Sequence, residues 1–267
     1  MNKRSCQLFM LMTCICAVSH LLDAQSPEPG KPTPEAGKQT AEAGKQTPEP
    51  GKQTAAPGKP KEFIYVLRLV PRLRDGKDWT KGDNLASEQQ FIRFQEATKS
   101  GQLILSGRTS EPGDKTFGIA IFRASDEAAA RAFMKADPTV SAGLMTAELH
   151  PFSVAFEHAI PEPGKPNEFI YVLRLVPRLY DGKKWTKEDN AAMERHIIRF
   201  HEATKSGQLI LAGRTSEPGD KTFGIAIFRA SDEAAARAFM KADPTVSAGL
   251  MTAELHPFAV GFEHANP

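Results

Sequence analysis

The sequence predicts an α+β protein: two tandem ferredoxin-like βαββαβ domains that pack sheet to sheet as a pseudo-dimeric α+β barrel. Three observations predict it. Residues 96–152 recur at 202–258 with one difference, Ser106 against Ala212. The correspondence runs back to Glu62 and Glu168 with scattered changes, at a constant offset of 106 residues. Each copy reads strand, helix, strand, strand, helix, strand, the order of the split βαβ motif, a four-stranded antiparallel sheet with both helices on one face. Finally, Ile170, Val172, Leu173 and Leu175 put apolar side chains on both faces of the first strand. The face without helices therefore needs a cover, and the second copy is on the same chain. The period exceeds the ~20–50 residues of a solenoid unit, and a unit of about 100 residues can bury a small core of its own.

The organisation expected along the chain is a signal peptide at 1–24, a linker at 25–61, repeat 1 at 62–160, a short connection at 161–167 and repeat 2 at 168–267. Lys3 and Arg4 form a basic start, Leu8 to Leu22 is mostly apolar, and Ala24 offers a small residue before Gln25. That is the layout of a secretory signal, and the run is short for a membrane span of about 20 residues. A retained anchor is the alternative. A lipoprotein signal at Cys14 or Cys16 fits poorly with the preceding residues. Cys6, Cys14 and Cys16 are the only cysteines, so a cleaved chain has no disulfide, thiol nucleophile or cysteine metal site. The expected location is secreted or periplasmic, with no membrane contact after cleavage.

Residues 27–60 repeat a seven-residue unit such as Pro34-Glu35-Ala36-Gly37-Lys38-Gln39-Thr40. No position carries a large apolar side chain, so this is not a coiled-coil heptad. Proline and glycine in each unit forbid a continuous helix. The composition predicts a solvated, partly extended tether. Pro161-Glu162-Pro163-Gly164-Lys165-Pro166 is one remnant of it between the repeats. The formal net charge is only +2, from 34 basic and 32 acidic residues, with no basic stripe among aromatics. Nucleic-acid binding is therefore not expected.

Each repeat is read in order. Phe63–Val70 and Phe169–Val176 are dense in β-branched and aromatic residues and end at Pro71 and Pro177, which reads as a strand. A polar loop with Asp75-Gly76 or Asp181-Gly182 follows. A helix then runs to Ser100 or Ser206 and is closed by Gly101 or Gly207. In repeat 2, Met193, Ile197, Phe200 and Thr204 fall on one helical face. Gln208–Gly213 is a strand, Glu217-Pro218-Gly219-Asp220 a turn, and Thr222–Phe228 a strand. Ser231 is expected to cap a second helix, with Asp232 and Glu233 complementing its dipole. That helix runs through Ala236 and Phe239 and stops before Pro244. Thr245–Leu250 reads as a turn and Met251–Phe258 as the last strand.

Several segments together resemble the YCII-related (YciI-like) family of dimeric α+β barrel proteins. They are the opening strand Phe169-Ile170-Tyr171-Val172-Leu173, then His196, then Gly207-Gln208-Leu209-Ile210-Leu211-Ala212-Gly213. Ser231-Asp232-Glu233-Ala234-Ala235, Ala242-Asp243-Pro244, Ala248-Gly249-Leu250 and Glu254-Leu255-His256-Pro257-Phe258 complete the set. The resemblance covers both repeats. It implies a site in which a histidine on the first helix, His196 here, meets the aspartate of the Asp-Pro step, Asp243, for general acid–base work on small molecules. It implies this for repeat 2 alone, because repeat 1 has Gln90 where repeat 2 has His196, while keeping Asp137. Arg214 departs from the proline usual after the strand glycine.

From the residues alone, His196 borders the apolar helix face, three residues from Met193 and four from Phe200. A neutral imidazole there can move a proton near neutral pH, or it can serve only as a structural partner of Asp243. Arg214 and Ser216, in Gly213-Arg214-Thr215-Ser216, can present a cation and hydroxyls to an anionic ligand, or form a solvated strand end. Arg174 and Arg178 follow the same logic, and Arg174 in a strand needs a partner or a wet cleft. His201, five residues after His196, falls on another face, so the two make a poor metal pair. His150, His256, His158 and His264 have no ligand at metal spacing. Trp79 and Trp185 read as plugs at the core edge. No cofactor and no metal are expected.

Two function classes remain. One is an exported small-molecule enzyme of the lyase or isomerase type, with His196 as acid/base, Asp243 as its orienting partner, and Arg214, Arg174 and Ser216 as substrate contacts. The other is a non-catalytic ligand-binding or structural module. The expected partners are a small molecule and the other repeat, with a homo-oligomer left open.

Overall fold

The computed structural model describes residues 60–158 and 167–264. The signal segment, nearly all of the linker and nearly all of the connection between repeats lie outside the described residues. Repeat 1 folds as β1 (Lys61–Leu69), α1 (Lys81–Lys99), β2 (Leu103–Thr109), β3 (Gly118–Ala124), α2 (Glu127–Lys135), a one-turn α3 (Pro138–Ser141) and β4 (Met145–Glu157). Repeat 2 repeats this as β5 (Asn167–Leu175), α4 (Lys187–Lys205), β6 (Leu209–Thr215), β7 (Gly224–Ala230), α5 (Glu233–Lys241), α6 (Pro244–Ser247) and β8 (Met251–Glu263).

The eight strands close into one barrel in the order β1-β3-β2-β8-β5-β7-β6-β4. The expected sheet-to-sheet pairing is thus realised as a closed ring. The ring is sealed at β2/β8, where Thr109 faces Phe258, and at β4/β6, where Phe152 faces Thr215. Closure leaves no unpaired sheet edge. Strand alternation sorts the side chains. Ile64, Ile121, Phe152, Ile170, Ile227 and Phe258 fill the barrel interior. Tyr171, Leu173, Ala226 and Phe228 point outward and pack under Phe200, Ala203, Ala236 and Met240 of the helices, and repeat 1 does the same.

Four expectations need correction. The second helix is capped by Asp232, whose carboxylate accepts from Ala235 N at 2.8 Å, and Ser231 only donates to that carboxylate at 3.3 Å. Pro244 does more than stop this helix. It stands at the first position of α6, where its missing N–H costs nothing. The last strand extends to Glu263 rather than Phe258, because its C-terminal half pairs with β2 of the other repeat. On α4 the buried side chains are Asp189, Ala192, Phe200 and Ala203, whereas Ile197 is 49 % exposed. The first helices end at Lys99 and Lys205, with the expected Ser100 and Ser206 as their C-caps, and Gly101 and Gly207 follow with φ of +73° and +74°, a conformation costly for other residues.

Candidate active site on the outer face of repeat 2

The helix carrying His196 is fixed at its start. Thr186 and Asp189 form a capping box, with Asp189 N donating to Thr186 Oγ1 at 3.1 Å and Thr186 N donating to Asp189 Oδ2 at 3.0 Å. Arg178 grips the same carboxylate through two bonds of 2.7 and 2.8 Å. The Arg178 hydrogen bond and the Thr186 amide hold the Asp189 carboxyl well below the usual carboxylate range. This bidentate pair occupies Arg178, which is therefore not available as a ligand anchor. Arg72 and Asp83 repeat the arrangement.

His196 stands on the side of α4 turned toward the sheet, between the buried Ala192 and Phe200. Its ring lies 4.1 Å from the Phe200 ring, and its side chain is 12 % exposed. Below it Asp243 is fully buried. Its place is set by local sequence: as N-cap of α6, just before Pro244, its carboxylate accepts from Thr245 N at 2.9 Å and from Thr245 Oγ1 at 2.7 Å. Tyr171, on the outer face of β5, donates its hydroxyl to Oδ2 at 3.0 Å. His196 Nδ1 meets Oδ1 and Oδ2 at 2.8 and 2.9 Å. The structure thus brings together the two residues singled out in the sequence, and adds Tyr171 and Thr245.

Burial pushes the Asp243 carboxyl up, but the His196 hydrogen bond and charge and the two Thr245 bonds outweigh it, so the group sits below its ordinary value. Burial, followed by the charge of Asp243, pushes the Tyr171 phenol well above its ordinary value. Tyr171 is therefore a donor and Asp243 an acceptor-only carboxylate. An acceptor-only carboxylate takes its hydrogen bond from Nδ1–H of His196, which leaves Nε2 as the ring nitrogen that does not face Asp243. Among the described residues no hydrogen bond to Nε2 is present. Arg199, one turn further on, lies over the Phe239 ring at 4.0 Å and donates to Phe239 O at 2.8 Å.

In repeat 1, Gln90 Nε2 donates to Asp137 Oδ1 and Oδ2 at 3.0 and 2.8 Å and lies 2.9 Å from Thr139 Oγ1. Tyr65 donates to Asp137 Oδ2 at 2.9 Å. The cradle is the same, with an amide that cannot titrate in place of the imidazole.

The three residues expected as substrate contacts sit on or just beyond strands β5 and β6. Arg174 is three residues from Tyr171, hence on the opposite, inner face of β5, with its guanidinium 5.5 Å from the Phe223 ring. Arg214 is exposed on β6, paired in register with Ser153 and Gly224. Ser216 is exposed beyond β6 and anchored by its amide to Pro151 O at 3.0 Å, beside a groove that Lys61 and Phe63 also line. None of the three is hydrogen-bonded to the dyad. Trp79 and Trp185 pack against small apolar clusters at the core edge. His264 Nδ1 lies 2.8 Å from Thr98 O at the end of α1.

One arrangement escaped the sequence reading. His150 Nδ1 lies 2.6 Å from Glu217 Oε2 and His256 Nδ1 pairs with Glu111 Oε2, each pair joining the two repeats. The partners are 67 and 145 residues apart, so no spacing in the sequence signals them. Among the described residues no group of three or more histidine, cysteine or acidic side chains is placed to hold a metal ion. Among them also, no helix is long and apolar enough to cross a membrane.

Fold and site together describe a pair of fused α+β barrel halves with a histidine–aspartate couple under the first helix of one half. The chain belongs to the YCII-related domain family, whose sequence model matches residues 77–153 and 174–258. No curated protein sequence matches the chain. Among solved structures, a candidate monooxygenase of Fusobacterium nucleatum is 13 % identical, covering 75 % of this chain and 92 % of its own, with a TM-score of 0.47. A heme-binding protein of Thermus thermophilus is 14 % identical over 76 % and 90 %, with a TM-score of 0.45. Chlorite dismutase of Candidatus Nitrospira defluvii is 11 % identical over 74 % and 91 %, with a TM-score of 0.44. Likenesses this distant assign no chemistry to this chain.

Proposed function

We propose that this protein is an exported small-molecule enzyme of the lyase or isomerase type, with one competent site in repeat 2. His196 Nε2 is the base. It takes a proton from a carbon beside a carbonyl or similar activating group, and Asp243 stabilises the imidazolium that forms. In an isomerase the proton returns at another atom, and in a lyase a leaving group departs with the electron pair. Tyr171 and Thr245 hold Asp243 and touch no substrate.

The observation that carries this reading is the pair of equivalent cradles. Gln90 makes the same bonds to Asp137 that His196 makes to Asp243, so the fold does not require an imidazole there. What His196 adds over glutamine is a second ring nitrogen that can accept a proton. Export is supported by Lys3, Arg4 and the apolar run Leu8–Leu22. The competing reading, a binding module without chemistry, is favoured by the packing of His196 on Phe200 and its low exposure.

Deuterium exchange into a panel of small carbonyl and lactone carbon acids tests the proposal. Exchange catalysed by the wild type and lost in His196→Gln, with the fold unchanged, supports it. Equal exchange by both proteins, or none by either across the panel, favours the binding module.

A further inference from the structure

The two cross-repeat pairs lie on the inner face of the barrel, on the other side of the sheet from His196. Their histidine side chains are only 8 % and 6 % exposed. His150 comes from β4 of repeat 1, whereas Glu217 and Phe223 come from repeat 2, with Phe223 edge-on to the imidazole at 5.2 Å between ring centroids. Arg174 lies over that same Phe223 ring. His256 is surrounded in the same way by Glu111, Phe117 and Arg68 of repeat 1. Neither half exists without both repeats.

Neighbouring strands are antiparallel all round the ring, so β1 and β5 run parallel and Arg68 and Arg174 lie at the same end of the barrel. Ile64 and Ile170 are fully buried there, while Val66 and Val172, one step nearer the rim, are only partly buried. Each pair leaves Nε2 as the imidazole nitrogen turned away from its Glu217 or Glu111 partner. Nε2 of His150 is 3.7 Å from Glu148 and Nε2 of His256 is 3.7 Å from Glu254, and these carboxylates are 79 % and 72 % exposed. Arg68 and Arg174 are exposed and have no ion pair among the described residues. Each half therefore offers an unpaired guanidinium, an aromatic wall, a buried imidazole and an outer carboxylate.

We propose that the barrel mouth is a second ligand site, distinct from the His196 couple, that takes small zwitterions bearing a carboxylate and a cationic nitrogen. A guanidinium without a carboxylate partner recognises the anionic end. Glu148 or Glu254 receives the cationic end, 3.7 Å from the Nε2 of His150 or His256. A simple anion meets the surrounding glutamates and a simple amine meets the arginine, so each alone gains from one contact and loses to the other.

The test uses the full chain and follows the ring signals of His150, His256 and His196 by NMR during titration with glycine, acetate and methylamine. Glycine is expected to shift His150 and His256 saturably and to leave His196 unmoved. Arg68→Ala/Arg174→Ala, a change of exposed side chains, is expected to weaken glycine by about tenfold or more, the loss of a charge-assisted contact, with the His196 signal reporting an intact fold. No saturable shift with glycine, an equal affinity for acetate or methylamine, or an unaltered response in the double variant each overturns the proposal.

Discussion

Gln90 and His196 occupy equivalent positions on the first helix of each repeat, and each directs a side-chain nitrogen at a fully buried aspartate, to within 2.8 Å of Asp137 or Asp243. One protein thus contains two versions of the same cradle. The amide and the imidazole meet the same geometric demand, and differ in whether the outward part of the group can take a proton.

His196→Gln therefore rebuilds in repeat 2 what repeat 1 already has. Stability by urea unfolding is expected to change by less than about 1 kcal/mol. Any catalysed proton transfer is expected to fall by about 10²–10⁴-fold, the usual contribution of a positioned acid or base. Gln90→His is expected to create a second competent couple with Asp137, seen as added turnover in a His196→Gln background.

Asp243→Ala behaves differently. It removes the N-cap of α6, worth about 1 kcal/mol, and strands the buried Tyr171 hydroxyl and the Thr245 donors, at about 1–3 kcal/mol. A loss of about 3 kcal/mol in urea unfolding is expected. A loss under about 1 kcal/mol contradicts a structural role for the carboxylate in addition to its orienting one.

The same carboxylate gives stability a pH dependence. The folded Asp243 carboxyl sits below its ordinary value. A carboxyl depressed in this way contributes stability that is present above its unfolded value of about 3.9 and is lost as the pH falls through the lower folded value. The stability advantage of the wild type over Asp243→Asn is thus present at about pH 5 and shrinks as the pH falls below about 4. Paired unfolding curves across this range check it, and an advantage that grows on acidification contradicts it.

The seam between repeats is equally specific. A Cβ at Gly107 would lie 2.5 Å from Ala259 O and from the Phe258 ring across the β2/β8 seam. The carbonyl belongs to the backbone and cannot turn aside. Gly107→Ala is expected to cost about 1–3 kcal/mol, as overpacking does, and to perturb the neighbouring Glu111–His256 pair. Thermal unfolding with NMR of the His256 ring measures both effects.

The strand–helix order was legible because each element carries its own period and its own stop, as at Pro71, Gly101 and Pro177. Barrel closure was legible from the apolar residues on both faces of the first strand and from the repeat. The His196–Asp243 contact spans 47 residues and came from family resemblance, since no local pattern ties a helix residue to a distant Asp-Pro step. The length of β8 was hidden because Val260 and Phe262 are extended by pairing with the other repeat. Alternation from Tyr171 sends Arg174 to the inner face of β5, away from the couple. The cross-repeat histidine–glutamate pairs depend on the closed ring and have no sequence signature.

Asp243 is expected to hold His196 with its Nδ1 protonated and its Nε2 free to accept. Long-range ¹H–¹⁵N correlation of the imidazole signals, with His196 assigned by its absence in His196→Gln, measures this at a pH where the ring is neutral. The expected spectrum has the proton on Nδ1 in the wild type and a loss of that preference in Asp243→Asn. A proton resident on Nε2 in the wild type would contradict the account, because no basic nitrogen would then face outward.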